Sequence, residues 1–172
     1  AATYHFNDDT MAYASWTRGF ASGVFNARAA TLDAVGPTDP EEVDSFEVGF
    51  KTSFFGGRGQ LNLAYFMADY TDLILFVNNP DKTSGASLIN FNAGEAEISG
   101  FEAEMQLQLT DNFRLNGSFG TVDPEFTNIK YFDANADGVV DGKDNELAKT
   151  WDFQKVAEMS YSLEAIYNLE IG

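Results

Sequence analysis

Apolar and polar residues alternate along several long stretches of the chain. In DFQKVAEMSYSLEAIYNLEI, which starts at Asp152, apolar residues occupy every second position from Ala157 to Ile171, and the positions between them are mostly Glu, Ser and Asn. Because side chains on a strand point alternately to two faces, a period of two predicts a β-strand. SFEVGFKTSFF and GFEAEMQLQL show the same split. GQLNLAYFMADY, NFRLNGSFGTV and TMAYASWTRGF indicate further strands, with a short one ending at YHF. The pattern predicts an all-β fold of about six to seven strands.

The connections between these strands alternate between short and long. Short turns are expected at 7–9, 56–59 and 110–112, and long polar loops at about 21–44, 72–97 and 123–150. The strands also exceed the usual length of about 5 to 6 residues. Short periplasmic turns and long extracellular loops are typical of outer-membrane barrels. We therefore predict an antiparallel transmembrane β-barrel segment with lipid on the apolar face and the lumen on the polar face. A soluble antiparallel sandwich with one solvated face, the alternative, shows the same alternation.

Composition removes several classes of protein. A net charge of −17, with only ten scattered Lys and Arg residues, argues against nucleic acid or an anionic lipid surface as a partner. The absence of cysteine excludes disulfides, thiolate metal sites and a Cys nucleophile. Sixteen Phe, seven Tyr and two Trp exclude disorder. No run approaches the roughly 20 apolar residues of a spanning helix, and no signal peptide is found, as expected of a cytoplasmic protein or of a mature or internal piece.

No catalytic constellation is found, so we do not expect an enzyme. His5 has no Ser or Asp partner at a recognisable spacing. The pairs Glu102 with Glu104 and Glu158 with Glu164 resemble the acid and base of a glycosidase. Such acids recur on the polar face of several strands, however, as a hydrated lumen requires.

The other charged and aromatic side chains are assigned to faces and loops. Arg18, Lys51 and Arg114 are predicted to pair with acids in the lumen. The interfacial aromatic belts are expected to contain Trp16, Phe20, Tyr65, Tyr70, Tyr161 and Tyr167. Loop aromatics either pack within their loops or contact an extracellular ligand. The candidate ligand-binding residues are Phe25, Phe91, Tyr131 and Phe132.

The segment YFDANADGVVDGKDNEL has the oxygen spacing of an EF-hand-type calcium loop. Counted from Asp133, the first, third, fifth, seventh, ninth and twelfth positions hold Asp133, Asn135, Asp137, Val139 (through its carbonyl), Asp141 and Asp144. Gly138 takes the sixth position, where the loop turns sharply. Asp144 replaces the usual Glu, as in dockerin modules, which this segment resembles.

The alternative for this segment is an acidic surface turn without metal. Four carboxylates this close repel one another strongly unless a cation is present. We therefore predict Ca²⁺ in a loop spanning 131–146, bound with an affinity suited to extracellular levels. We expect the metal to rigidify an outward-facing loop held between two strands, with at most a weak helical turn after it.

Three segments resemble TonB-dependent outer-membrane receptors. The first, NDDTMAYASWTRGFASGVFNAR, carries Arg-Gly-Phe and Ser-Gly-x-Phe-Asn steps at 18–20 and 22–26. In the second, PEEVDSFEVGFKTSFFGGRGQLNLAYFMADYTDL, Glu47, Gly49 and Lys51 belong to the strand opening, and a Phe-x-x-Asp-Tyr-x-Asp-Leu strand end follows. The third, NAGEAEISGFE, contains the Gly-Phe-Glu of another strand at 100–102. The three occur in the order found in that family.

The resemblance implies import of a scarce nutrient, with iron-siderophore first and cobalamin or a glycan next, driven by energy from a TonB-type protein. A family barrel has about 22 strands around a plugged lumen, and single-chain barrels start at 8 strands. We therefore expect residues 1–172 to be a partial barrel domain from the C-terminal half, without its plug. Its partners would be the other strands and plug of the receptor, the lipid of a Gram-negative outer membrane and a small-molecule nutrient, but not nucleic acid.

Two alternatives from other classes stay open. One is a passive porin-like channel, which would have no plug. The other is a soluble, calcium-dependent adhesion or scaffold module. The residues that precede Ala1 and the solubility of the isolated chain distinguish these classes.

Overall fold

A computed structural model describes residues 1–26, 35–78, 88–129, 139, 141–151, 153 and 156–169. Seven strands form one antiparallel sheet in sequence order. They are β1 (Ala2–Asn7), β2 (Thr10–Ala21), β3 (Glu41–Phe54), β4 (Gly59–Asn78), β5 (Leu88–Thr110), β6 (Phe113–Ile129) and β7 (Met159–Tyr167), with one helix, α1 (Gly142–Ala148), between β6 and β7. The predicted all-β fold and its strand number are confirmed.

The three short turns also lie where the sequence predicts them, all at one end of the sheet. In the β1–β2 turn, the Asn7 Oδ1 atom accepts a hydrogen bond of 2.9 Å from the Asp9 amide. The β3–β4 turn needs left-handed backbone at three successive residues, with φ of 53° at Phe55, 64° at Gly56 and 84° at Gly57. Glycine adopts this conformation without a Cβ clash. Arg58 then donates to the carbonyls of Gln108 and Leu109, which ties this turn to the β5–β6 turn.

The long connections are shorter than predicted, because strands continue into them. The expected loops at 72–97 and 123–150 are partly strand, since β4 runs to Asn78, β5 starts at Leu88 and β6 runs to Ile129. Backbone pairing continues there after the apolar-polar alternation has ended. β-Bulges between Tyr70 and Leu73 and between Leu73 and Ile74 shift the register of β4 against β5 in this region. At the other extreme, β7 ends at Tyr167, earlier than its alternation suggests.

Strand register aligns the alternating residues into two continuous faces. One row across β3 to β7 consists of Phe50, Leu63, Ala103, Phe119 and Tyr161. The adjacent row, one residue along each strand, consists of Lys51, Asn62, Glu104, Ser118 and Ser162. We call these the apolar face and the polar face. Large apolar side chains are exposed on the apolar face, including Tyr161 at 78%, Leu163 at 77% and Trp16 at 61%.

A small buried cluster lies at the loop end of β5 and β6. Ala96 and Ile129 are 2% and 5% exposed, and Asp144 of α1 is fully buried. The Phe126 and Phe153 rings stack with centroids 4.2 Å apart and planes at 17°. Phe126 lies opposite Ala96, on the same face as Ser118. The Phe153 ring, which follows α1 in the chain, therefore covers Phe126 at the upper end of the polar face.

The helix α1 corrects the prediction of at most a weak helical turn after the calcium-like segment. It spans seven residues and packs against β6. No helix in the described part of the chain is long and apolar enough to cross a membrane.

Candidate functional site

Hydrogen bonds across β2 to β5 organise the polar face. The Tyr13 hydroxyl donates to Glu47 Oε1 at 2.6 Å. The Lys51 Nζ atom lies 5.5 Å from the centre of the Tyr13 ring, within cation-π range. Asn62 reaches Glu104 Oε2 at 3.4 Å, close to the limit for a hydrogen bond. Tyr13, Lys51, Asn62 and Glu104 line a small open cavity on the polar face, together with Glu102.

The polar contacts continue across β6 and β7. Asn116 Nδ2 donates to Glu164 Oε2 at 2.7 Å, and the Ser118 and Ser162 hydroxyls are 2.7 Å apart. Arg114 donates to Gln108 Oε1 at 2.9 Å. Carboxylates on this part of the face are Glu47, Glu102, Glu104 and Glu164, and the cations are Lys51 and Arg114. The polar face therefore attracts cationic groups and hydrogen-bond donors.

The predicted luminal pairing of Arg18 is wrong. Arg18 forms a two-pronged ion pair with Asp44, through Nε to Oδ1 at 2.9 Å and Nη2 to Oδ2 at 2.5 Å. Arg18 is two residues from Trp16 on β2, and Asp44 is two residues from Phe46 on β3. Both side chains therefore lie on the apolar face. Arg114 stands on the polar face, where it donates to the amide oxygen of Gln108.

One aromatic assignment also changes. Trp16, Phe20, Tyr65, Tyr161 and Tyr167 share the apolar face, as predicted for interfacial belts. Tyr70 lies opposite Val43 and Ala96 and stands on the polar face. The reason is strand parity, since Tyr70 is an odd number of residues from Tyr65.

The structure separates the four candidate ligand-binding aromatics. Phe25 lies just beyond β2, and 64% of its surface is exposed. Phe91 is part of β5, where its backbone pairs with Leu75, so the prediction that it belongs to a loop is wrong. Tyr131 and Phe132 lie outside the described residues. Sequence reasoning missed Phe126 and Phe153 as a stacked pair, because nothing in their spacing indicates that they meet.

The calcium-like segment is described only in part. Asp133, Asn135 and Asp137 lie outside the described residues, and Val139 is exposed. Asp141 Oδ1 accepts from the Lys143 amide at 2.8 Å, while Asp144 Oδ2 accepts from the Asp141 amide at 2.7 Å. This reciprocal arrangement is a capping box at the start of α1. Among the described residues, no three His, Cys, Asp or Glu side chains form a metal-binding group. The calcium site stays a prediction.

Comparison with known proteins gives one family. A sequence profile described as "TonB dependent receptor-like, beta-barrel" matches residues 1–170. The chain is 28% identical over 153 residues to the metal-pseudopaline receptor of Pseudomonas aeruginosa, covering 88% of this chain and 18% of that protein. It is 29% identical over 89 residues to a probable TonB-dependent siderophore receptor of Acinetobacter baumannii, covering 52% of this chain and 11% of that protein. The chain thus spans less than a fifth of the length of these relatives.

Solved structures show the same fold at low sequence identity. The ferripyoverdine receptor of the outer membrane of P. aeruginosa superimposes with a TM-score of 0.66 and 18% identity, over 98% of this chain and 20% of that one. The ferric-catecholate import receptor of Escherichia coli K12 gives a TM-score of 0.66 and 15% identity, over 96% of this chain and 21% of that one. With the two-faced antiparallel sheet and its short turns at one end, the chain belongs to the family of TonB-dependent receptor-like β-barrels.

Proposed function

We propose that this chain is part of the barrel wall of an outer-membrane receptor that imports an iron-siderophore complex in an energy-coupled manner. The observation that carries the proposal is the exposed apolar face, which stays in register across the sheet of a chain matched by the family over residues 1–170. The names of its relatives, a metal-pseudopaline receptor and a probable siderophore receptor, support a metal chelate as the ligand.

The apolar face suits the lipid of an outer membrane. Phe101 and Met105 on β5 and Leu163 on β7 are all more than a third exposed, and water would be a poor solvent for such a continuous surface. In a barrel these side chains meet lipid, while every backbone group bonds to a neighbouring strand. A Gram-negative outer membrane is therefore the proposed location.

The partners follow from the edges and from the polar face. Within the described sheet, β1 and β7 are the outer strands, and unpaired edges need further strands to satisfy their backbone groups. The polar face carries Glu47, Glu102, Glu104 and Glu164, which suit a plug that presents Arg or Lys side chains. Coupling to a TonB-type protein would act through that plug. The proposed role is transport by binding and passage, without enzyme chemistry.

Uptake by whole cells tests the proposal. Deletion of the gene for the full-length protein is expected to abolish uptake of at least one radio-iron-labelled siderophore from a panel of catecholates, hydroxamates and mixed chelators. Inactivation of the TonB-type protein should abolish the same uptake. Uptake that persists without the TonB-type protein would favour a passive porin-like channel instead, and unchanged uptake of the whole panel after deletion would refute the siderophore assignment.

We also propose that 131–146 binds Ca²⁺ at an extracellular affinity. The supporting observation is that α1 begins at Gly142, the tenth position counted from Asp133, just as an EF-hand loop leads into its exit helix. Asp141 and Asp144 stand at the junction between the loop and α1, as the ninth and twelfth positions of such a loop do.

Calorimetry on the full-length protein tests the calcium site. The double variant Asp133→Ala, Asp137→Ala should lose the heat of Ca²⁺ binding. The variant Asp8→Ala, Asp9→Ala, which removes two carboxylates from the β1–β2 turn, should retain it and is the matched control. Equal heats of Ca²⁺ binding in the two variants would contradict a calcium site at 131–146.

A further inference from the structure

The two chain segments that connect β2 to β3 lie close together as they leave the sheet. We call residues 22–26 and 35–40 the clamped stem. The Thr38 amide donates to the Val24 carbonyl at 2.9 Å, the Asn26 amide to the Val35 carbonyl at 2.7 Å, and the Val24 amide to Thr38 Oγ1 at 2.9 Å. A Cβ atom at Gly23 would overlap the carbonyl oxygen of Thr38, so this close approach requires glycine.

Two asparagine carboxamides fasten both segments of the stem to β5. Asn26 accepts from the Asn90 amide at 2.6 Å and donates to the Asn90 carbonyl at 3.2 Å. In the reciprocal arrangement, Asn92 accepts from the Asp39 amide at 2.7 Å and donates to the Asp39 carbonyl at 2.9 Å. A carboxamide that bonds to both backbone groups of one residue imitates a step of β-pairing. The clamped stem is thus attached to β5 almost as an additional strand would be.

We call the hydrogen bonds of Asn26 with Asn90 and of Asn92 with Asp39 the clamps. They reach across β4, which separates β3 from β5 in the sheet. β4 is irregular at this level, with a bulge and a left-handed backbone at Asp72, where φ is 54°. The Asp72 carbonyl accepts a 2.7 Å hydrogen bond from Asn92, and the Ile74 amide donates to Glu41 Oε2 at 3.2 Å. The side chains therefore satisfy backbone groups that the bulge releases from the ladder. Stem, bulge and β5 form one hydrogen-bonded unit.

We propose that Asn26 and Asn92 are positioning residues for ligand capture, and that they hold the clamped stem rigid so that the exposed Phe25 ring contacts the incoming metal chelate. Phe25 directly precedes Asn26 and is 64% exposed. An aromatic ring suits the flat, partly apolar surface of a chelating group. A stem already ordered before binding avoids the entropy loss of ordering a loop on contact. This inference rests on the proposed function for its ligand, but its structural part can be measured without one.

Hydrogen exchange of the full-length protein tests the clamps. Asn26→Ala, which changes only a residue outside the strands, should speed amide exchange at least tenfold in 22–26 and 35–40. Asn92→Ala should do the same while also loosening Asp72. Asn62→Ala, which removes a carboxamide with a single long bond of 3.4 Å lower on β4, is the matched control and should leave the stem unchanged. Equal exchange in Asn26→Ala and wild type would overturn the clamp.

Binding of the ferric siderophore found in the uptake panel tests the positioning role. Phe25→Ala and Asn26→Ala should each weaken binding about five- to tenfold, and the double variant should weaken it no further, because both changes act through the same ring. Independent, multiplying effects, or faster exchange with unchanged affinity, would overturn the positioning role. If the wild-type protein binds no ferric siderophore, the binding measurement refutes the proposed function. The hydrogen-exchange measurement still shows whether Asn26 and Asn92 hold the clamped stem.

Discussion

The two faces of the sheet alternate residue by residue on the same strands, yet their side chains make different contacts. On the apolar face, Leu63 lies between Phe50 and Ala103, and none of these three side chains has a polar atom. One residue earlier on β4, Asn62 turns to the other face and reaches Glu104. In a barrel, lipid decides which residues are tolerated on the first face, and water and hydrogen bonds decide it on the second. Neighbours in sequence are therefore under opposite constraints.

The largest effect is expected from placing a charge on the apolar face. Leu63→Arg, near the middle of the apolar run on β4, should destabilise the full-length protein by about 2–4 kcal/mol, the cost of Arg near the centre of a bilayer. Urea unfolding in phospholipid vesicles measures it. Asn62→Arg is the matched control and should cost less than about 1 kcal/mol, since the lumen is wet and Glu104 lies opposite. Equal losses in the two variants would contradict the assignment of the faces.

A smaller effect is expected where the polar face becomes apolar at its upper end. Phe153→Ala should loosen α1, because the stack on Phe126 is lost. An aromatic pair contributes about 0.5–1.5 kcal/mol beyond area burial, so exchange of the α1 amides should speed by up to about tenfold. A double-mutant cycle with Phe126→Ala measures the coupling.

The matched control for this stack is Phe55→Ala, which removes a ring that is 75% exposed in the β3–β4 turn. Exchange in α1 should not change in this variant. An α1 that exchanges at the wild-type rate in Phe153→Ala would show that the stack does not hold the helix.

The smallest effect is expected within the polar face itself. Ser118→Ala removes the 2.7 Å contact with the Ser162 hydroxyl. Water in the lumen can replace the lost partner, so the free energy of unfolding should fall by less than about 0.5 kcal/mol. Urea unfolding in vesicles is again the measurement. A loss above about 1.5 kcal/mol would indicate that this part of the face is dry, and would weaken the contrast between the two faces.

Much of the fold could be predicted because its signals are local. Alternation indicated β2 to β7, and Gly56 and Gly57 marked a turn that needs left-handed backbone. The ends of β4 and β5 were not predicted, since pairing there continues through bulges where the alternation has already stopped. The charge of Arg18 predicts the polar face, whereas its position two residues from Trp16 on β2 places it on the apolar face.

The site was less predictable than the fold. Residue type alone makes Phe25 a candidate, whereas no pattern in the sequence indicates the carboxamides of Asn26 and Asn92 that hold the residues around it. Asn26 and Asn90 are 64 residues apart in sequence, and Asp39 and Asn92 are 53 apart. Asparagine is common in polar loops, so its presence carries little information until its partner is known.

The sequence by itself determined the two faces, the short turns and the family, because a period of two and the backbone needs of a tight turn depend only on nearby residues. Only the tertiary structure decided which residues meet across strands and loops. Pairing of β2 with β3 places Arg18 against Asp44, and the connecting segments bring Asp39 to Asn92 and Phe153 to Phe126. The physical reason is that each of these contacts joins segments that are distant in sequence, and no single segment encodes how two segments align.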